Sequence, residues 1–193
     1  MYQAADDPYC YPGASVLRNR LELREQAKLD AFEALITAQR AEEPLPLGWL
    51  DGEAYRAIHR HLFQDVYEWA GAFRTVRIAK AGSSFCYPEH IDREMQRLFG
   101  ALAAEEELKR LPPAVFAREA AHILSELNAI HPFREGNGRT QNVFLAVLAE
   151  RAGHRLDFGR LVPEALLKAM VASFAGDEQP LSDLIAALFP GIR

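Results

Sequence analysis

His131-Pro132-Phe133-Arg134-Glu135-Gly136-Asn137-Gly138-Arg139 joins two stretches of helical pattern. Upstream, Phe116, Ala120, Ile123, Leu127 and Ile130 fall four, three, four and three residues apart, which is one face of an α-helix. Downstream, Val143 to Ala149 is apolar on every side until Gly153 supplies a stop, the pattern of a buried helix. The stretch is therefore a tight loop that ends one core helix and opens another. Gly136 and Gly138 let the backbone turn there and approach a ligand closely. The N–H groups and positive dipole end of the second helix face the same place.

Four chemically equipped side chains share that loop: the base His131, the carboxylate Glu135, the amide Asn137 and the guanidinium Arg139. Each alone has a plain structural reading as a loop histidine, a turn residue or a solvated cation. Together they do not. Arg139 at a helix N-terminus opposes the macrodipole and needs an anion beside it. Glu135 next to that anion would be repelled unless a cation such as Mg²⁺ lay between them. Phosphate chemistry satisfies both.

The chain has 193 residues, enough for one well-buried domain. Its net charge of −5 argues against a nucleic-acid binder, which would carry a basic face. Cys10 and Cys86 are too few and too distant for a disulfide framework and belong to no metal-ligand cluster. With no leader, membrane-spanning run or lipidation motif in the sequence, a soluble cytoplasmic protein without membrane contact is expected.

An irregular lead-in, Met1 to Ala14, precedes a helix predicted from about Arg24 to Arg40 with Leu29, Phe32 and Ile36 facing the core. Pro44 and Pro46 end that region, and Asp51 is the expected N-cap of a helix from Glu53 to Phe63 with Tyr55, Ile58 and Leu62 inside. His59 and His61, two apart, face different directions and are expected in solvated or core-edge roles. Thr75 to Lys80 then alternates, Gly82-Ser83-Ser84 is turn material, and Phe85-Cys86-Tyr87 returns, a hairpin that must lie on the helical body. Pro88 starts a helix with the stripe Ile91, Met95, Leu98 and Leu102; Glu105-Glu106-Glu107 reads as a solvated face. Pro112-Pro113 opens the helix into the loop, Pro163 opens another (Leu166, Leu167, Met170, Phe174), and Pro180 to Phe189 is a short last one. The fold class is all-α, one domain with one hairpin.

The loop resembles the active-site motif of the Fic domain family, H-P-F-x-[D/E]-G-N-G-R-x-x-R, from His131 through Arg139. Tyr67-Glu68-Trp69-Ala70-Gly71, the preceding Ile58 to Phe63 and the hairpin from Val76 to Phe85 fall where that family has a helix, a bend and a flap. Asn142 stands where the family's second Arg is expected. The resemblance implies a single Fic-like domain over 1–193, with its core at about 53–174 and an N-terminal helical part at 15–50. It also implies a protein AMP-transferase. His131 would take the proton from a Tyr, Thr or Ser hydroxyl that attacks the α-phosphorus of ATP, and Glu135 would hold Mg²⁺. Gly136, Asn137, Gly138, Arg139 and the position of Asn142 would bind the nucleotide. Ile78, Lys80 and Phe85 on the flap would register the target protein by strand-like pairing. ATP itself is what the family suggests, because the motif does not read the base.

Many family members carry an inhibitory helix, [S/T]-x-x-x-E-[G/N], whose Glu pairs with the second motif Arg. No Ser or Thr in this chain has a Glu four residues on. The chain thus resembles toxins inhibited by a separate small antitoxin, and the expected targets are the ATPase subunits of bacterial type II topoisomerases (DNA gyrase or topoisomerase IV). Two alternatives stay open at this point: a nucleotide- or partner-binding module impaired by Asn142, and a phosphate-transferring relative.

Overall fold

The structure, a computed structural model, describes residues 7–45, 48–80 and 83–190, with backbone alone at Lys80 and Ser83. Pro46, Gly82, the lead-in before Asp7 and the Lys80 side chain, all used in the reading above, lie outside the described residues. The order is α1 (Gln26–Ala41), α2 (Gly52–Phe63), β1 (Ala79–Lys80), β2 (Ser83–Ser84), α3 (Pro88–Ala104), α4 (Pro113–Ile130), α5 (Asn137–Arg151), α6 (Pro163–Phe174) and α7 (Gln179–Ala187). The expected all-α class with one hairpin is what the chain adopts. No helix among the described residues is long and apolar enough to cross a membrane.

Helix α4 is the hub, touching α3, α5, α6 and α7, while α2 packs on both α5 and α1. Local chemistry sets the helix ends. Asp51 Oδ1 accepts from Ala54 N at 2.8 Å, as a side-chain N-cap does. Prolines stand in the first turns of α3, α4, α6 and α7, where their missing N–H costs nothing. The predicted stripes of α2 and α3 are buried, as is Phe116, Ala120, Ile123, Leu127 and Ile130 along α4. Phe133 is fully buried, stacked on Tyr55 at 5.6 Å, with Phe144 edge-on to Tyr55. Burying one such ring is worth about 1.5–3 kcal/mol, so the loop is nailed into the core by its own Phe.

On α1, Leu29, Phe32 and Ile36 pack on the core as expected, and Glu33 and Thr37 are buried beside them because the inner face also meets polar groups of α5. Three expectations are corrected. His59 is fully buried. Glu107 is buried rather than solvated: its carboxylate accepts from Leu50 N at 3.2 Å and faces Lys109 and Arg151. Leu167 is 58 % exposed, since it lies off the side of α6 that packs on α4 and α7.

The hairpin is shorter than its alternating pattern. Among the described residues only Ala79 pairs with Ser84 and Lys80 with Ser83, followed by Phe85 N donating to Ile78 O at 3.3 Å. Beyond that point Cys86 turns its N–H to Ala129 O of α4 at 3.0 Å, which takes the strand off the ladder and onto the helical body.

Candidate active site

The loop from His131 to Gly136 is bracketed by two left-handed residues. His131 caps α4 at φ 47°, ψ 62°, and Gly136 precedes α5 at φ 82°. A left-handed non-glycine residue costs roughly 1–2 kcal/mol, so its surroundings must hold it. They do: His131 N donates to Leu127 O at 2.9 Å, and its carbonyl accepts from Arg74 Nε at 2.8 Å. Arg74, only 2 % exposed, also donates to the carbonyls of Val76, Cys86 and Ile130. It thereby ties the base of the hairpin to the C-terminal end of α4, where a cation also suits the helix dipole. Gly136 is required twice over, by its positive φ and because a Cβ there would lie 2.3 Å from the Phe63 ring.

The imidazole of His131 is half-buried beneath the hairpin, with the Phe85 ring stacked on it at 3.9 Å and 17°. Phe174 of α6 meets the outer side of Phe85 edge-on at 5.6 Å. Of the flap residues expected to matter, Phe85 thus touches the candidate base, and Ile78 is half-buried at the ladder's end.

Glu135 is exposed, and its Oε1 accepts from Gly136 N at 2.9 Å. Gly138 is exposed, with open space where a Cβ would stand. No side chain caps the amino end of α5. Asn137 departs from expectation. Its buried amide donates to Phe133 O at 2.8 Å and accepts from Phe133 N at 3.0 Å. The side chain braces the loop instead of facing a phosphate, so what Asn137 offers the cleft is its position at the helix start.

Arg139 and Asn142, both half-buried, line one cavity of about 520 Å³ with Asp30, Glu33, Thr37 and Val143. Arg139 Nη2 is paired with Glu33, Nη1 donates to Thr37 Oγ1 at 3.2 Å, and the guanidinium lies 5.1 Å from the centre of the Phe63 ring. Sequence reading missed Glu33 because no Ser or Thr precedes it by four residues and because a carboxylate does not register in an apolar stripe. The signal available was Thr37 one turn after it, on the same face.

His59 was also missed as a site residue. Gly71 N donates to its Nδ1 at 2.8 Å, so the ring proton sits on Nε2 and is donated to Glu135 O at 3.0 Å. The ring stacks on Phe133 at 3.8 Å and Phe63 at 4.7 Å. Burial, with a smaller effect from nearby Arg139, lowers its pKa to about 4 although the bond to Glu135 works the other way, so the ring is neutral. His59 is a fixed strut between the bend at Gly71 and the loop.

A Mg²⁺ ion fits these residues in one manner. Among the described residues no three His, Cys, Asp or Glu side chains gather into a cage. Glu135 offers an exposed carboxylate with one oxygen outside its bond to Gly136, and Mg²⁺ is commonly held by one or two carboxylates plus substrate phosphates.

Residues 49–149 match the Fic/DOC family. "Probable protein adenylyltransferase y4lH" of Sinorhizobium fredii is 54 % identical over 182 residues, covering 94 % of this chain and 95 % of that one. "Protein adenylyltransferase VbhT" of Bartonella schoenbuchensis is 37 % identical over 190 residues, 97 % of this chain and 39 % of that longer protein. The crystal structure of BepC from Bartonella tribocorum with bound AMPPNP is similar at a TM-score of 0.88 and 28 % identity, over 96 % of this chain and 97 % of that one.

Proposed function

The chain belongs to the Fic/DOC family and is a protein adenylyltransferase, and from that premise we propose how its own residues carry the reaction. The observation that carries the reading is the amino end of α5. It has no side-chain cap, opens at Gly136, and stands between His131 and Arg139. Such an end is a ready anion site. The phosphates of ATP lie over it, along the open side of Gly138. Arg139 faces the leaving pyrophosphate and is the donor for its developing charge. Glu135 would hold Mg²⁺, which would supply neutralisation of phosphate charge.

His131 is the base. It takes the proton from a target hydroxyl; the hydroxyl oxygen forms a bond to the α-phosphorus, and the bond from that phosphorus to pyrophosphate breaks. The neutral strut His59 and the braced amide of Asn137 hold the loop still while this happens. The target's segment pairs along the hairpin, where Ile78 and Phe85 stand at the ladder's end and Lys80 lies within β1. That no Ser or Thr here has a Glu four residues on supports a toxin held in check by a separate small antitoxin. ATPase subunits of type II topoisomerases are the first targets to try.

The test is transfer from ATP labelled at the α- or γ-phosphate into a lysate. Label is expected to pass from the α-position alone, and His131→Ala is expected to lower it about 10²- to 10⁴-fold. Transfer of the γ-label would make the chain a phosphate-transferring relative. His131→Ala with full activity would remove the base assignment.

A further inference from the structure

Glu33 lies outside the residues matched to the family, on a helix whose only assigned role so far is scaffold. Its side chain is a carboxylate with 6 % exposure, and a buried carboxylate needs compensation. Its partners converge on one functional group. Arg139 Nη2 donates to Oε1, and the Tyr67 hydroxyl donates to Oε2. Thr37 sends its hydroxyl proton back to the Glu33 carbonyl at 2.7 Å, so its oxygen is left to accept from Arg139 Nη1 at 3.2 Å.

The supports are themselves fixed. Tyr67 stacks on Trp69 at 4.3 Å and 17°, with Phe63 at 6.1 Å. Burial, and then Glu33 itself, push the Tyr67 phenol far up, so its proton stays on oxygen and is available to the carboxylate. Phe63 in turn lies against Gly136, at the mouth of the loop. Only one side of the guanidinium is used: the Arg139 side chain keeps 38 % of its surface, beside the cavity it shares with Asn142.

We infer that Glu33 is the positioning residue for Arg139: with Thr37 and Tyr67 it fixes the plane of the guanidinium, so that the N–H groups left over face the outer phosphates of a nucleotide. The inference rests on the nucleotide reading above. A guanidinium carries five N–H donors, and the two bonds to α1 leave three. An unsupported Arg must lose its rotamer freedom when it binds a ligand. Holding it beforehand is worth about 10- to 30-fold in affinity.

The decisive experiment is calorimetric titration of the full chain with AMP, ADP and ATP at constant Mg²⁺, using the wild type, Glu33→Ala, Glu33→Gln and Tyr67→Phe. Glu33→Ala is expected to weaken ADP and ATP by about 10- to 30-fold and to leave AMP within about 2-fold, because AMP has no outer phosphate. Glu33→Gln, which keeps an acceptor oxygen, is expected to restore most of that loss. Tyr67→Phe is expected to show the same selective loss in smaller measure, and it carries the test should the alanine form fail to fold. Equal losses on all three nucleotides would overturn the inference in favour of a general structural role. Tighter ATP binding by Glu33→Gln would overturn it in favour of a competing charge. Unchanged affinities would overturn it alone, whereas a wild type that binds none of the three would overturn the nucleotide reading with it.

Discussion

Asp7 and Arg134 are joined across 127 residues of chain by a two-point ion pair, Arg134 Nε and Nη2 both donating to Asp7 Oδ2 at 2.9 and 2.7 Å. The other Asp7 oxygen accepts from Tyr9 N at 3.0 Å. The carboxylate is fully enclosed and the Arg134 side chain is 15 % exposed. A lead-in that reads as irregular thus clasps the middle of the motif loop.

Asp7→Ala takes away the carboxylate that this largely enclosed guanidinium faces. Breaking a buried pair from one side costs about 3 kcal/mol. In a chain of this size that is about 6–12 °C in Tm, measured by scanning calorimetry. A variant melting within about 2 °C of the wild type would show that the clasp does not hold the fold.

Stability is expected to fall between pH 6.5 and about 4, through His59. Its pKa is 6.5 unfolded and about 4 folded, so within that window the unfolded chain binds a proton that the folded chain does not. The stabilisation is therefore complete above pH 6.5 and lost as pH drops toward 4, about 3 kcal/mol in all. Urea unfolding at several pH values in the wild type and His59→Gln checks this. The slope must flatten in the variant across that window if His59 is its source.

Asn142→Arg is expected to raise ATP affinity and AMP transfer. The cavity beside it, about 520 Å³, has room for the longer side chain, and Arg139 three residues earlier shares its wall. A hydrogen bond to a charged phosphate is worth roughly 1.5–3 kcal/mol, or about 10- to 150-fold. Titration and labelling of both forms decide the matter, and equal values would mean that position 142 does not meet the outer phosphate.

Gly136→Ala is expected to be severe. A methyl group there would stand 2.3 Å from a ring carbon of Phe63, in a backbone conformation at φ 82° that alanine resists. Left-handed strain of roughly 1–2 kcal/mol and overpacking of about 1–3 kcal/mol add. Thermal unfolding of this variant beside Gly138→Ala, which meets open space, separates the two glycines.

The sequence was most informative where one apolar face repeats. The stripes of α2, α3 and α4 and the capping Asp51 were visible because each follows from spacing or from one hydrogen-bonding side chain. The motif loop was visible because its residue types conflict with an ordinary helix start. Hidden were the residues whose role depends on a partner far along the chain. Asp7 needs Arg134, Glu33 needs Arg139, and His59 needs both Gly71 and Glu135. Periodicity ranks such polar residues as outward, and only the fold shows the opposite charge or backbone group waiting inside. The hairpin was overlong in the reading because alternation does not reveal that Cys86 bonds to a helix carbonyl instead of a strand.

Arg74 gives the hairpin the mechanics of a short cantilever. Its guanidinium rivets the carbonyls of Val76 and Cys86, one on each arm, to those of Ile130 and His131. The root of the hairpin thereby keeps its distance from the imidazole. A polypeptide laid against the free edge would be measured as on a ruler whose zero mark is His131. If a target pairs there as proposed, which hydroxyl reaches His131 becomes a matter of counting along the visiting backbone, decided before any side chain of the visitor is inspected.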